Sequence, residues 1–237
     1  MNRFNCFGLT VAVRCVALVT VGTTVVAEDN QLTEREKKDG WVLLFDGKSY
    51  DGWMTSDRKP SQHPVEGGTI NPHGCGAYMM VHKQKRSNFV LKLDYRLSAK
   101  CNSGVFFHTY SLEPQNGRDV GFNGLEVAID DTTTAGYHDT GAIYDLSKPI
   151  RNTQNPVGEW NRLVLTCSRS RVLVAINGEA VNSIDLKHFT EPNQRPDGTL
   201  HKFPIAYSKH PATGYIGLQD HGADIWFKNI KLLPLSR

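Results

Sequence analysis

The 237-residue sequence shows no sustained 3.6-residue apolar period, which excludes a helical bundle and any α/β arrangement built on crossover helices. Charge of one sign is scarce too. Lys+Arg 27 against Asp+Glu 24 leaves a net +3, so composition offers no electrostatic basis for a nucleic-acid partner. Past residue 27 no stretch reaches the ~20 apolar residues a membrane span needs, so none is expected in the mature chain. Five cysteines without a Cys-x-x-Cys pair rule against a structural zinc site. No EF-hand, two-His zinc motif or nucleophile elbow is present. Asp130, Asp131, Asp139 and Asp145 supply oxygens of the kind calcium accepts in loops, which leaves a structural calcium ion open. The expectation is nevertheless no cofactor and no metal. Internal repeats are absent, and nothing in the chain indicates its oligomeric state.

What is present is turn chemistry. Twenty-one Gly and 11 Pro, with 39% hydrophobic and 22% charged residues, suit a globular chain with many turns, and one domain of this length is expected. Arg3 precedes an apolar run ending in Val25-Val-Ala27 ahead of Glu28-Asp29, the pattern of a secretory signal peptide over residues 1–27 and hence of a secreted or periplasmic protein. Its removal takes Arg3 and Arg14 and no acid, so the net charge falls from +3 to +1. Cys75, Cys101 and Cys167 remain, and three cysteines form at most one internal bridge.

Residues 28–40 read as a polar lead-in, with Thr33 and Glu36 spaced as a capping box, and residues 41–235 as a single β-sandwich domain. Strands are expected at 41–45, 69–70, 77–82, 88–98, 103–109, 124–131, 160–166, 171–176 and 181–185. The clearest is Asn88 to Ser98, where Phe89, Leu91, Leu93, Tyr95 and Leu97 alternate with polar or smaller residues, so one face is core. Asn177-Gly178 is a hairpin turn. The stretch Gly214-Tyr-Ile-Gly-Leu-Gln-Asp-His-Gly-Ala-Asp-Ile-Trp-Phe-Lys-Asn-Ile230 reads as two strands about Gly222, expected to pair as a hairpin. Long loops at 132–160 and 187–213 are of the kind that wall a binding site. Strands at short intervals with turns between them select an antiparallel sandwich or barrel.

Several pieces in order resemble the 3-keto-disaccharide hydrolase family, formerly a domain of unknown function. They are Gly40-Trp-Val-Leu-Leu-Phe-Asp-Gly-Lys-Ser-Tyr-Asp-Gly-Trp53, Asn102-Ser-Gly-Val-Phe-Phe107, Gly124-Leu-Glu-Val127 with Asp130-Asp131, Thr140-Gly-Ala-Ile-Tyr144, Gly158-Glu-Trp-Asn161, Asn177-Gly178 and the 214–230 stretch. The resemblance implies an all-β, antiparallel jelly-roll β-sandwich of the concanavalin A/laminin G kind, acting on glycosides oxidised to a ketone at sugar carbon 3. The sequence departs from the family's common pattern at Ala128, where Gln is frequent, and at His108, where Arg is.

A ketone at carbon 3 acidifies the hydrogen on carbon 2, so a base can remove that proton, the enolate can expel the substituent on carbon 1, and water can add to the enone. Such a site needs a base, a group to stabilise the enolate and an acid for the leaving oxygen. Glu126 and His221 are the expected catalytic pair. Gln219, Tyr215, His108 and Asp130 are expected to bind substrate, Gln219 by holding a hydroxyl or the enolate oxygen and Tyr215 by stacking on a ring. Glu126 and Asp130 are about 13 Å apart along one strand, so either would work with groups from other strands. Asp220 shares its face with Ile216 and Leu218 and is left out. Two other readings stand beside the enzyme: a lectin-like carbohydrate-binding module with the same fold, and a cell-surface adhesion domain, which predicts a flat sheet with no pocket.

Overall fold

Alternation along the strands sorts the apolar residues into one layer between two sheets. The computed structural model describes residues 28–115, 117–132 and 136–236, and the expected signal peptide lies outside them. The strands are β1 (Val42–Leu43), β2 (Trp53–Thr55), β3 (Met79–His82), β4 (Phe89–Leu97), β5 (Asn102–Thr109), β6 (Leu125–Asp130), β7 (Asn161–Ser168), β8 (Arg171–Ile176), β9 (Glu179–Asp185), β10 (Tyr215–Gln219) and β11 (Ile225–Pro234). They form an all-β antiparallel sandwich. One sheet runs β1-β11-β4-β7-β8-β9 and the other β2-β3-β10-β5-β6.

Leu91, Leu93, Tyr95 and Leu97 of β4 face Val105 and Phe107 of β5, Val127 and Ile129 of β6, and Ile216 and Leu218 of β10 across this layer, all fully buried. Burying such a side chain contributes about 1.5–3 kcal/mol. Asn177 and Gly178, at φ of +52° and +86°, make the tight turn that joins β8 to β9, since both central residues of such a turn need positive φ.

The 214–230 stretch folds differently from the expected hairpin. β10 pairs with β3 and β5, whereas β11 pairs with β1 and β4, so the turn between them carries the chain from one sheet to the other. The alternation of Ile216/Leu218 and Ile225/Phe227 identifies the core face of each strand correctly, but parity does not specify the neighbour. The turn is anchored instead to the 71–74 loop: Asp220 accepts from the Gly74 and Gly222 amides, both at 3.0 Å, and Asp224 accepts from Asn71 Nδ2 at 2.8 Å. Asp220 also meets His73 Nδ1 at 3.1 Å.

The short helix α1 (Glu34–Lys38) has the capping box expected of Thr33 and Glu36. Glu36 also reaches Lys231 on β11 at 2.7 Å. Just before it, Asn30 and Asn229 exchange two hydrogen bonds, from the Asn30 amide to Asn229 Oδ1 at 2.6 Å and from the Asn229 amide to Asn30 Oδ1 at 2.8 Å. Cys75, Cys101 and Cys167 are all free and buried. Among the described residues no helix is long and apolar enough to cross a membrane.

The outward side of the five-stranded sheet carries its own apolar patch, Met79, Val81 and Phe106, capped by Leu112 and Val120 from the loop after β5. Both sides of β5 are therefore buried. The loops that cover this side build the cleft.

Candidate active site

β5, β6 and β10 form the floor of a cleft of about 180 Å³, with Asn102 and Phe106 from β5, Glu126 from β6 and Gln219 from β10. Phe106 lies directly opposite Glu126 in the β5–β6 register, and Gly217 opposite Phe106 in the β10–β5 register. With Ile216 and Leu218 committed to the core, Gln219 takes the outward side, as strand alternation requires. The walls come from the covering loops: Asp119 and Phe122 from one, Tyr144 from the second, Lys202 and Phe203 from the third, with His221 at the turn after β10.

Glu126 is buried. Burial pushes its carboxyl up to about 8; Lys202 opposes the shift and Asp130 adds to it. Space for the carboxyl exists because residue 104 is a glycine: a β-carbon there would overlap Glu126 Oε1. Gln219 Nε2 donates to the Tyr78 hydroxyl at 2.9 Å, while Gln219 Oε1 is buried without a partner among the described residues. Burial, followed by the Glu126 charge, raises the Tyr78 pKa. An unpartnered buried acceptor costs about 1–3 kcal/mol, and Gln219 is one of the residues that line the cleft.

Opposite stands a donor pair. Lys202 Nζ donates to the Tyr144 hydroxyl at 2.8 Å and lies 4.0 Å from that ring's centre. The backbone amide of Lys202 donates to Asp145 Oδ2 at 2.7 Å, and Asp145 Oδ1 receives Arg195 Nη2 at 2.9 Å. Arg195 and Asp145 are 6% and 15% exposed, an ion pair that ties the 187–213 loop to the 132–160 loop and delivers Lys202 to the cleft.

Of the six residues expected from sequence, Glu126, His221 and Gln219 share the cleft, and the other three do not line it. Tyr215 is half-buried on the same sheet, packed against the Met79 and Phe106 patch with Lys85 Nζ 4.9 Å from its ring centre. His108 is turned away by a bulge: its φ is +51° and the β5–β10 register shifts beside it, so it lies against Phe89 and Phe107 rather than beside Phe106. Asp130 sits at the end of β6, accepting from the Thr132 amide at 2.5 Å and the Thr132 hydroxyl at 2.6 Å. Ala128 exchanges backbone hydrogen bonds with Gly141 and Ala142.

Lys202, Tyr78 and Tyr144 were missed. Lys202 stands in a loop without periodicity, and Tyr78 falls inside the expected 77–82 strand, where alternation alone does not show that its hydroxyl meets Gln219, 141 residues later. Among the described residues no group of three or more His, Cys, Asp or Glu side chains is arranged to hold a metal ion.

Residues 40–233 match the pattern of the 3-keto-alpha-glucoside-1,2-lyase-like domain. The chain is 28% identical to a Bacteroides thetaiotaomicron protein named 3-keto-disaccharide hydrolase, over 89% of this chain and 83% of that protein. It is also similar to a candidate glycosyl hydrolase from Parabacteroides distasonis, with a TM-score of 0.74 and 28% identity over 88% of this chain and 100% of the other. A second candidate glycosyl hydrolase from that organism gives 0.66 and 25% identity, over 82% of this chain and 99% of the other.

Proposed function

The chain belongs to the 3-keto-alpha-glucoside-1,2-lyase-like family, and on that premise we propose that it is an enzyme exported from the cytoplasm that cleaves 3-keto-glycosides, disaccharides among them, by elimination and hydration. The observation that carries this reading is the Glu126 carboxyl buried in the cleft, where burial pushes it up to about 8. A neutral carboxylic acid at pH 7 is a proton donor in waiting.

His221, exposed at the mouth, takes the proton from carbon 2. The electron pair passes to the ketone oxygen, giving an enolate that faces Lys202 and the Tyr144 hydroxyl; preformed donors at such an oxygen commonly contribute several kcal/mol. The enolate collapses to the enone and the carbon 1–oxygen bond breaks with its electron pair. Glu126 gives its proton to the departing oxygen. Water then adds its hydroxyl at carbon 1 and gives its one remaining proton to Glu126, while protonated His221 returns a proton to carbon 2, so both groups are restored and the net change is hydrolysis. Gln219 meets a ring hydroxyl, and Phe122 and Phe203 offer apolar surface to the sugar.

The test is incubation with a 3-keto-disaccharide in deuterated water. Release of the free sugar with deuterium at carbon 2 is expected, and Glu126→Gln and His221→Ala should each slow it by at least about a hundredfold. Unchanged rates in both variants would overturn the assignment of the site. Saturable binding of the sugar without turnover would make the protein a carbohydrate-binding module.

A further inference from the structure

The outward face of the six-stranded sheet carries a concavity of its own, on the opposite side of the sandwich from the cleft. Tyr95 and Leu97 of β4 and Ile225 and Phe227 of β11 are buried in the core. Arg96 and Trp226 alternate with them and lie opposite each other in the β4–β11 register, so both point away from the core. The Arg96 guanidinium lies over two indoles, 4.6 Å from the ring centre of Trp226 and 5.1 Å from that of Trp160, the residue just before β7. With Glu66, Asp29 and Lys228 these three line a hollow of about 390 Å³.

The groups left free decide what the hollow accepts. Asp29 is already held, by Lys228 Nζ at 2.7 Å and Asn229 Nδ2 at 2.8 Å. Arg96 makes no hydrogen bond or ion pair among the described residues; its Nε is buried, while its two terminal nitrogens keep solvent-accessible surface. Glu66 is exposed, and its carboxylate is likewise without a partner among the described residues. Trp160 and Trp226 are half-buried, and their indole N–H groups donate to nothing among those residues. Two bases and two acids border the hollow, so its charge favours neither an anion nor a cation. Free donors beside a free acceptor, with indole surface next to them, fit a neutral sugar, whose hydroxyls both donate and accept and whose C–H face lies against aromatic rings. A peptide added as a further strand has no edge to join here, because β4 and β11 are interior strands of their sheet.

From this arrangement we infer that the hollow binds a neutral glycan chain, with Trp226 and Trp160 against its pyranose rings and Arg96 and Glu66 on its hydroxyls. The indoles flank β4 from either side, two strand spacings or about 10 Å apart, so they meet different sugar units of one chain. The inference does not depend on the reaction assigned to the cleft. Hollow and cleft open on opposite faces of the sandwich, so a chain held at the hollow leaves the cleft free, and the role of this face is retention on a polymer rather than turnover.

Isothermal titration of the protein with cellohexaose, maltohexaose, xylohexaose and mannohexaose tests it, with hexagalacturonate as the anionic control. At least one neutral chain should bind saturably, and at least tenfold more tightly than its own monosaccharide or than hexagalacturonate. Trp226→Ala should weaken that binding at least tenfold and Arg96→Gln several-fold. Glu66→Gln, at an exposed position, should also weaken it several-fold and keeps the test decisive if the tryptophan variant fails to fold. Glu126→Gln should retain the binding, which separates the hollow from the cleft. No saturable binding by any neutral chain, a preference for the anion, loss of binding in Glu126→Gln, or an affinity indifferent to Trp226, Arg96 and Glu66 would each overturn the proposal. So would a dimer in sedimentation that Trp226→Ala dissociates, which would make this face an interface between copies of the chain.

Discussion

Gly104 and Glu126 lie on adjacent strands, and the second occupies the space in which a side chain on the first would begin. Gly104→Ala is therefore expected to displace the carboxyl and lower kcat/KM by at least about a hundredfold, while overpacking costs about 1–3 kcal/mol of stability. Combining it with Glu126→Ala should recover much of that stability, because the overlap is gone. Thermal melts of both single variants and the double variant measure the coupling.

Glu126 also sets a pH dependence whose sign follows from its shift. The folded-state pKa of about 8 lies above the ordinary 4.5, so the fold disfavours the charged form. Stability should fall as pH rises through this interval and level off above about 8, by up to about 4–5 kcal/mol. Glu126→Gln should lose that much less between pH 5 and 9 in denaturant titrations. Turnover that depends on the protonated acid should decline above about pH 8.

Lys202 acts on the same group, since its charge opposes the upward shift. Lys202→Met should lower kcat by about 10²-fold by removing a donor from the enolate. It should also move the alkaline limb of the pH–rate profile to higher pH. A merely structural role for Lys202 would leave that limb in place.

The Arg195–Asp145 pair is buried, and breaking such a pair leaves an uncompensated charge. Arg195→Ala is expected to cost about 3–5 kcal/mol and, because Asp145 also holds the Lys202 amide, to reduce activity. Urea titration alongside steady-state kinetics reports both.

All three described cysteines are free. Burial raises Cys101 to about 12 and also holds Cys167 well above the ordinary thiol range, so thiolate is scarce where reagents would need it. Thiol-reactive dyes should label the folded protein slowly and the urea-unfolded protein fully, and reducing agent should leave the melting temperature unchanged.

The sequence was most informative where the signal is local. Alternation identified the core faces of β4, β6 and β10, and with them the outward position of Glu126 and Gln219. Thr33 and Glu36 announced the cap, and Asn177-Gly178 the turn. What escaped depends on partners distant along the chain. Alternation cannot say that β10 and β11 belong to different sheets, nor does it foresee the bulge at His108, whose φ is +51° and beside which the β5–β10 register shifts. Lys202 owes its place to Asp145, 57 residues earlier, a relation that no spacing within its own loop expresses.

The crossing between β10 and β11 bears on how the chain reaches its fold. β10 sits between β3 and β5, and β11 between β1 and β4, so the last two strands in sequence occupy interior positions in both sheets. Neither sheet is continuous until they insert, and pairings of such large sequence separation make for slow folding. Until then β3, β4 and β5 carry open edges that invite pairing with other chains. Refolding yield should fall with protein concentration, and a chain ending before residue 214 should aggregate rather than fold into a smaller sandwich.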